Sequence, residues 1–317
     1  MPDSRVALSV VIPLYNKRST VLRSVDSVVR QLKIGDELIV VDDGSTDGGA
    51  DAVARKYKGS PVVKLIRQQN RGVSVARNEG VRNARHPYVA FLDADDWWLE
   101  GMRDKLEELI RRWPCAEAWS VGHYRVDGTQ RFHISSGISV DKLFSGIEFI
   151  EHYARYSGVI CSSSVCVRKD ALLREGGFPN GAKSGEDVYL WLKLALTGSI
   201  AASPEPLVCI DHSLTSDRKG RDAVGFHYVY FSDRDNLLVL DKKKRGALRR
   251  FMVKNGIRQI GGAIARGDRL AGWLITRVIN RVVPGFALFA SVLMLLPRSF
   301  FLAAYRWRYG HDNANSM

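Results

Sequence analysis

Phe91-Leu92-Asp93-Ala94-Asp95-Asp96-Trp97 ends an apolar run, Tyr88–Leu92, on three aspartates within four positions. A short apolar run that stops abruptly at charge has the form of a strand buried on both faces. Three runs upstream read the same way: Ala7–Pro13, Glu37–Val41 and Val62–Ile66. Helical periods lie between them. Thr20–Leu32 places Val21, Leu22, Val25, Val28, Val29 and Leu32 on one stripe. Ser45 or Thr46 stands where it can cap a second helix that Gly59 ends, and Val73–Ala84 supplies a third. Strands separated by helices of this length predict a mostly parallel, Rossmann-like α/β sheet with right-handed crossovers and helices on its faces.

Beyond Trp97 the pattern is looser. Leu99, Met102, Leu106, Leu109, Ile110 and Trp113 share a helical stripe that Pro114 stops, so a helix is expected over Trp97–Arg112. Val159–Val167 is expected to be a later strand, Glu186–Leu196 a helix with one buried face, and Leu207–Ile210 an edge strand after Pro204 and Pro206. After Gly225 the chain reads as helical and basic. The division expected is a catalytic domain over 1–220 and a helical C-terminal region over 221–317, with the boundary between Asp217 and Gly225.

In open α/β sheets, ligands bind beyond the carboxyl ends of the strands. Here those ends carry Pro13-Leu14-Tyr15-Asn16, Asp42-Asp43-Gly44-Ser45 and Asp93-Ala94-Asp95-Asp96. Asp93 and Asp95 offer hard oxygen ligands of the kind that Mg²⁺ or Mn²⁺ takes, one or two carboxylates being enough when phosphates and water fill the other positions. The competing reading is a solvated turn and helix cap. For the Asp42-Asp43 turn the alternatives are a cap favoured by the helix dipole or an acceptor for a nucleotide base. Gly72 permits the turn into the third helix. Arg77, one turn inside it, is a surface arginine, a contact to the base, or a brace for the loop.

Four segments in this order, Val10–Asn16, Val40–Asp47, Asn70–Asn78 and Phe91–Trp97, resemble the signatures of the family-2 inverting glycosyltransferases, which have the GT-A nucleotide-sugar-binding fold. The resemblance continues more weakly through Gly176–Pro179 and Gly185–Val188. It implies a nucleotide-sugar donor site: Pro13 and Tyr15 lining base and ribose, Asp43 on the base, and Arg77 beside it. Asp93 and Ala94 would lie near the ribose and phosphate, and Asp95 on the metal. It also implies that Asp187 is the base that deprotonates the acceptor hydroxyl, and that His212 completes the metal shell as in some relatives. The dipole at the start of the Glu186–Leu196 helix should keep that base ionised. Uridine diphosphate sugars are the commonest donors of such a family, and a hydroxyl of a glycan or of a lipid-linked glycan is the acceptor expected. The Gln-x-x-Arg-Trp signature of processive synthases is absent, since no such Gln precedes Arg306-Trp307, so transfer of one or a few sugars is expected. A sugar-phosphate nucleotidylyltransferase would need a Gly-rich loop after the first strand, and Pro13–Arg18 has no Gly. A catalytically silent scaffold would have no use for Asp95 and Asp187.

The charge is unevenly placed. From Asp241 onward there are fifteen Lys or Arg against three Asp and no Glu, so +12 of the net +13 lies there and the preceding 240 residues carry +1. Leu270, Trp273, Leu274 and Ile275 alternate with Arg266, Arg269, Arg277 and Arg281 on helical spacing, and Val282–Leu296 is an uncharged run of fifteen, short of the ~20 residues a span needs. Such faces lie in anionic interfaces. The expectation is a peripheral protein on the cytoplasmic face of a membrane, with a helical layer packed on the core or on a second subunit, or a kinked single span over 282–305, as the competing readings. No nucleic-acid motif accompanies the charge. Four cysteines without metal spacing, and an N-terminus with no apolar leader, fit a reducing compartment.

Overall fold

The computed structural model describes residues 6–213 and 222–303. The first half alternates as the sequence predicts: β1 (Leu8–Leu14), α1 (Val21–Val29), β2 (Glu37–Asp42), α2 (Gly49–Lys56), β3 (Val63–Arg67), α3 (Val73–Asn83) and β4 (Tyr88–Phe91). These four strands are parallel neighbours in the order β3-β2-β1-β4, with Val11 opposite Ile39 on one side and Phe91 on the other. The chain therefore leaves β1 toward β2 and returns on the far side as β4. The carboxyl ends of β1 and β4 form a switch point, the place where such sheets open a crevice.

Next come β5 (Trp97–Trp98), α4 (Met102–Arg112), β6 (Ala118–Asp127), β7 (Gln130–Ile134), β8 (Lys142–Phe144), α5 (Gly146–Tyr153), β9 (Val165–Arg168), α6 (Lys169–Arg174), α7 (Glu186–Thr197) and β10 (Ile200–Asp211). The sheet continues as β4-β9-β6-β10-β5, with β6 and β10 parallel and the other pairings of this half antiparallel. It is a mixed α/β sheet, parallel around the crevice.

Four expectations need correcting. The helix expected from Trp97 begins at Met102, because Trp97 and Trp98 pair with Cys209 and Val208 as a strand and Gly101 (φ 90°) restarts the chain as a helix. The strand expected over Val159–Val167 is only Val165–Arg168, preceded by two 3-10 turns at Ser157–Val159 and Ser162–Ser164. β10 is an interior strand rather than an edge. Its register against β6 shifts around Pro206, and that bulge accommodates the prolines. Neither Ser45 nor Thr46 caps α2. Gly48 holds the cap position, and Asp47 accepts the Gly49 N–H at 2.8 Å.

The sheet buries both faces. Alternate residues of β1, namely Leu8, Val10, Ile12 and Leu14, pack with α1 and α4, whereas Val11 joins Ile39, Val41 and Phe91 on the opposite side. There α3 lies so close that a Cβ on Gly80 would stand 2.3 Å from Val11 Cγ1. A glycine inside a helix costs about 1 kcal/mol relative to alanine, and here the close approach requires it.

The C-terminal region is helical: α8 (Phe226–Ser232), α9 (Arg234–Leu238), α10 (Lys242–Arg266), α11 (Arg269–Asn280) and α12 (Phe286–Leu295). Phe231, Phe251, Ile260, Ile279, Phe286 and Met294 belong to the same hydrophobic cluster as Leu190 and Trp191 of α7. The layer is thus packed on the catalytic core, with α10 against α5 and α8 against α7. No helix among the described residues is long and apolar enough to cross a membrane. Of the boundary expected between Asp217 and Gly225, residues 217–221 lie outside the described residues, as does Arg306-Trp307.

Candidate active site

Beyond the switch point lies a cleft of about 840 Å³ whose walls carry Pro13, Tyr15, Asp43, Arg77, Asp93, Ala94, Asp95, Asp187 and His212 together. The strand ends are tied to one another first. Asn16, in the left-handed region (φ 49°), donates its N–H to Ser45 Oγ at 3.0 Å, and its side-chain oxygen accepts the Thr46 N–H at 2.8 Å. Tyr15 is left half exposed at the rim, where a planar ligand can stack.

Asp43 is buried, and its carboxylate accepts the N–H groups of Arg71 (2.9 Å) and Gly72 (2.8 Å) and the Gln68 side-chain amide (2.7 Å). It braces the turn into α3, and Gly72 (φ 94°) lets that turn form.

Arg77 is not a surface residue. It is 3% exposed, with Nη2 at 2.7 Å from Asp93 and Nη1 at 3.1 Å from Glu186, while its guanidinium faces the Phe178 ring at 5.1 Å. Burial opposes its charge, but Asp93, Glu186 and Asp187 more than offset that and raise its pKa. One cation thus joins the strand end at β4 to the first turn of α7.

The three aspartates after β4 have different surroundings. Asp93 faces Arg77, and Asp95 Oδ2 lies 2.7 Å from Lys17 Nζ. Asp96 is buried, accepts hydrogen bonds from the Ser163 hydroxyl and the Asp211 N–H, and offers its carbonyl to Ser24 Oγ. Burial first, then Asp93 and Asp95, push its carboxyl well above the usual range, so it joins the ends of β4 and β10 as a structural acid. Arg23 adds a second tie, donating to the Asp95 carbonyl at 2.7 Å and pairing with Asp211 at 2.8 Å. Lys17, Asp96, Ser163 and Asp211 are contributions that the sequence reading did not assign.

Asp187 stands at the start of α7, and its Oδ1 accepts the Val188 N–H at 2.7 Å. The helix dipole was expected to favour its ionised form. Burial outweighs that, and with Glu186 it lifts the carboxyl to about 6 against the pull of Arg77. A base with this pKa is ionised at neutral pH and still holds a proton usefully. Cys161 also lines the cleft, but burial pushes its thiol up to about 12 and leaves it a neutral SH.

His212 lies on the cleft wall beside Asp211, its N–H bonded to the Val126 carbonyl at 2.8 Å. Among the described residues no three His, Cys, Asp or Glu side chains gather closely enough to enclose a metal by themselves. The donor set still suits a hard divalent cation that takes most of its ligands from a diphosphate and water, for which a single carboxylate such as Asp95 is sufficient.

The fold and sequence have clear counterparts. TarS 1-349 of S. aureus, solved in complex with UDP-GlcNAc, superposes with a TM-score of 0.69 at 19% identity, over 88% of this chain and 82% of that one. WfgD of Escherichia coli, a UDP-Glc:alpha-D-GlcNAc-diphosphoundecaprenol beta-1,3-glucosyltransferase, is 28% identical over 213 residues, covering 66% of this chain and 77% of WfgD. Glycosyltransferase GlyA of Streptococcus pneumoniae is 29% identical over 197 residues, covering 60% of this chain but 28% of GlyA. The chain spans less than half the length of several curated relatives it matches. The glycosyl transferase family 2 profile matches residues 9–176, more than half of the sequence and the crevice-forming strands β1 to β4 save Leu8, and the chain belongs to that family.

Proposed function

We propose that the protein is a nucleotide-sugar-dependent glycosyltransferase that moves a single sugar, with inversion, from a UDP-sugar to a hydroxyl of a lipid-linked glycan. The observation that carries this reading is the placement of Asp187, a partly buried carboxylate with a raised pKa of about 6, on the same cleft as Asp43, Asp93 and Asp95. A nucleotide seated on Tyr15 and the Asp43 turn would direct its diphosphate toward Asp93 and Asp95. Asp187 would take the proton of the acceptor hydroxyl, the hydroxyl oxygen would bond to the anomeric carbon, and the bond from that carbon to the diphosphate would break. Asp95, with His212 nearby, would hold a Mn²⁺ or Mg²⁺ ion, which when bound stabilises the negative charge of the departing diphosphate. Arg77 keeps Asp93 and Glu186 in place and lies beside Asp187. UDP-GlcNAc in TarS and the UDP-Glc and diphosphoundecaprenol-linked substrates in the name of WfgD support the choice of donor and acceptor classes.

The C-terminal layer supports a peripheral attachment to an anionic membrane on its cytoplasmic face. On α11, Leu270 (70% exposed), Trp273 (47%) and Leu274 face outward with Arg277, while α12 turns Leu288 (79%), Phe289, Val292 and Leu295 (83%) to the surface. Arg266, Arg269, Arg281 and Arg298 are exposed around them. An apolar face framed by arginines fits lipid headgroups, each basic residue contributing about 1 kcal/mol near the surface.

Full-length protein is to be incubated with Mn²⁺, a panel of nucleotide-sugars and a glycan on a polyprenyl diphosphate, with release of nucleoside diphosphate and extension of the glycan both followed. Extension of the lipid-linked glycan from a UDP-sugar is the expected result. Nucleotide-sugar synthesis from sugar phosphate and nucleoside triphosphate, or no turnover with any donor, would overturn the reading.

A further inference from the structure

The segment that carries Asp187 is held from behind by the C-terminal helices. The Phe226 N–H of α8 donates to the Ser184 carbonyl at 2.8 Å, and Ser184 Oγ donates to the Asp222 carbonyl at 3.1 Å. Gly185, the cap of α7 in the left-handed region (φ 72°), has no room for a side chain. A Cβ there would stand 2.4 Å from His227 Nδ1 and 3.1 Å from Gly225 Cα. The same ring closes over Gly225, where a Cβ would stand 2.7 Å from its Cε1. His227 is 4% exposed, and among the described residues neither ring nitrogen meets a partner at hydrogen-bonding geometry, although the Gly185 backbone and the Asn255 amide are its polar neighbours. Burial pushes its pKa down to about 4, so the imidazole is neutral and acts by its volume.

The contacts on either side make this seat rigid. Tyr189, one turn along α7 from Gly185, packs edge-on against Phe226 (5.2 Å) and Tyr230 (4.8 Å) of α8. Tyr228 hydrogen-bonds Asn255 of α10, and the His227 ring lies 6.3 Å from that of Phe251 on α10. We propose that His227 is a positioning residue for Asp187, wedged under Gly185 so that the C-terminal helical layer sets where the base stands. This rests on the reading of Asp187 as the base. The carboxylate must meet an acceptor hydroxyl within hydrogen-bond reach, and a displacement on the order of 1 Å costs ~10²-fold in rate. A wedge under the first turn of α7 should act mainly on turnover and little on donor binding, because Tyr15, Asp43 and Asp95 belong to other elements and the turn reaches the donor side only through the Glu186–Arg77–Asp93 chain.

The test uses full-length His227→Ala, His227→Gln and Gly185→Ala, with amide hydrogen exchange and with turnover of UDP-GlcNAc or UDP-glucose. In His227→Ala, exchange at residues 183–188 should rise at least tenfold while residues 190–197 keep their protection. Its kcat should fall at least tenfold, with the donor KM within threefold of the parent. His227→Gln, of similar volume, should restore most of both. Gly185→Ala strains the seat from the opposite side without opening a cavity, and should give the same selective loss if His227→Ala fails to fold. Adding His227→Ala to Gly185→Ala should cost less than the product of the single losses, since the new methyl enters the space the ring leaves. Unchanged exchange at 183–188 in a folded His227→Ala overturns the proposal whatever the activity. So does a loss shared equally by kcat and donor affinity. A parent protein that turns over no donor, with exchange behaving as described, would instead overturn the reading of the reaction.

Discussion

Lys17 Nζ lies 2.7 Å from Asp95 Oδ2, so the carboxylate suited to a divalent cation is already neutralised by a cation of the protein's own. Both groups are more than three-quarters buried, where a charge pair is less screened than at the surface. A metal ion bound through this oxygen, as proposed above, would compete with the ammonium. In Lys17→Gln, Mn²⁺ alone should bind several-fold more tightly, measured by the loss of the free-ion electron paramagnetic resonance signal. Turnover should fall. In Asp95→Ala both Mn²⁺ binding and transfer should be lost. Equal Mn²⁺ affinity in the parent and Lys17→Gln would show that the pair does not guard a metal site.

Arg77 satisfies two carboxylates at once from a buried position. Arg77→Met would leave Asp93 and Glu186 facing each other without their cation, a change that typically costs 3–5 kcal/mol. Arg77→Lys should recover only part of this, because an ammonium cannot present the same fork to two separate partners. Thermal unfolding of the two variants checks the order: parent, then Lys, then Met.

Asp187 makes a prediction in which stability and activity move in opposite directions. Its carboxyl is raised to about 6 in the folded protein from an ordinary value near 3.8, so the native state holds this proton more tightly than the unfolded chain does. The ionised group therefore costs stability above pH ~6, and the cost disappears as pH falls below ~4. Asp187→Asn should unfold at a higher temperature than the parent at pH 7.5, and the gain should shrink by pH 4. Turnover in the same variant should fall by at least ~10²-fold with donor affinity retained. The parent's kcat should rise with pH through an apparent pKa near 6, and that limb should be absent in the variant's residual activity. A variant less stable than the parent at pH 7.5 would contradict the burial argument.

The outward face of α11 and α12 is tested by placing carboxylates at two of its exposed aromatic residues. Trp273→Glu with Phe289→Glu should abolish cosedimentation with vesicles containing phosphatidylglycerol, while leaving the unfolding temperature within a few degrees. The parent should stay bound at salt concentrations that screen surface charge within about 10 Å, because the apolar side chains hold it. Self-association of the parent without vesicles, lost in the double variant, would show instead that a second copy covers this face.

Much of this arrangement is legible along the chain, and what is not has physical causes. β1, β2 and β4 show as apolar runs because each is buried on both faces, β3 at the sheet edge shows through Val63, Leu65 and Ile66, and the helices between them show as stripes. Trp97–Trp98 was hidden because Leu99 falls one turn before Met102 and extends a helical stripe that the backbone does not follow. The interior place of β10 and its start at Ile200 were hidden by Pro204 and Pro206, which argue for an edge. The interior accepts them only because Gly122 of β6 lets the bulge approach, a Cβ there standing 2.5 Å from the Pro204 carbonyl oxygen. In the cleft, the acidic strand ends announce themselves, but their partners do not. Lys17 meets Asp95 across 78 positions and Arg77 meets Glu186 across 109, and no local pattern records such pairs. The rise in the Asp187 pKa was not legible for a related reason: a dipole can be read from a helix start, whereas burial depends on what folds over it.

The hydrophobic cluster that runs from Val11 through Trp191 to Met294 has a consequence for how the molecule comes apart. Phe251, Phe286 and Trp191 lose their surroundings together, so the C-terminal helices and the sheet should melt as one cooperative unit. Calorimetry should show a single transition whose van't Hoff and calorimetric enthalpies agree. A chain built this way cannot shed its basic helices and keep a native catalytic half.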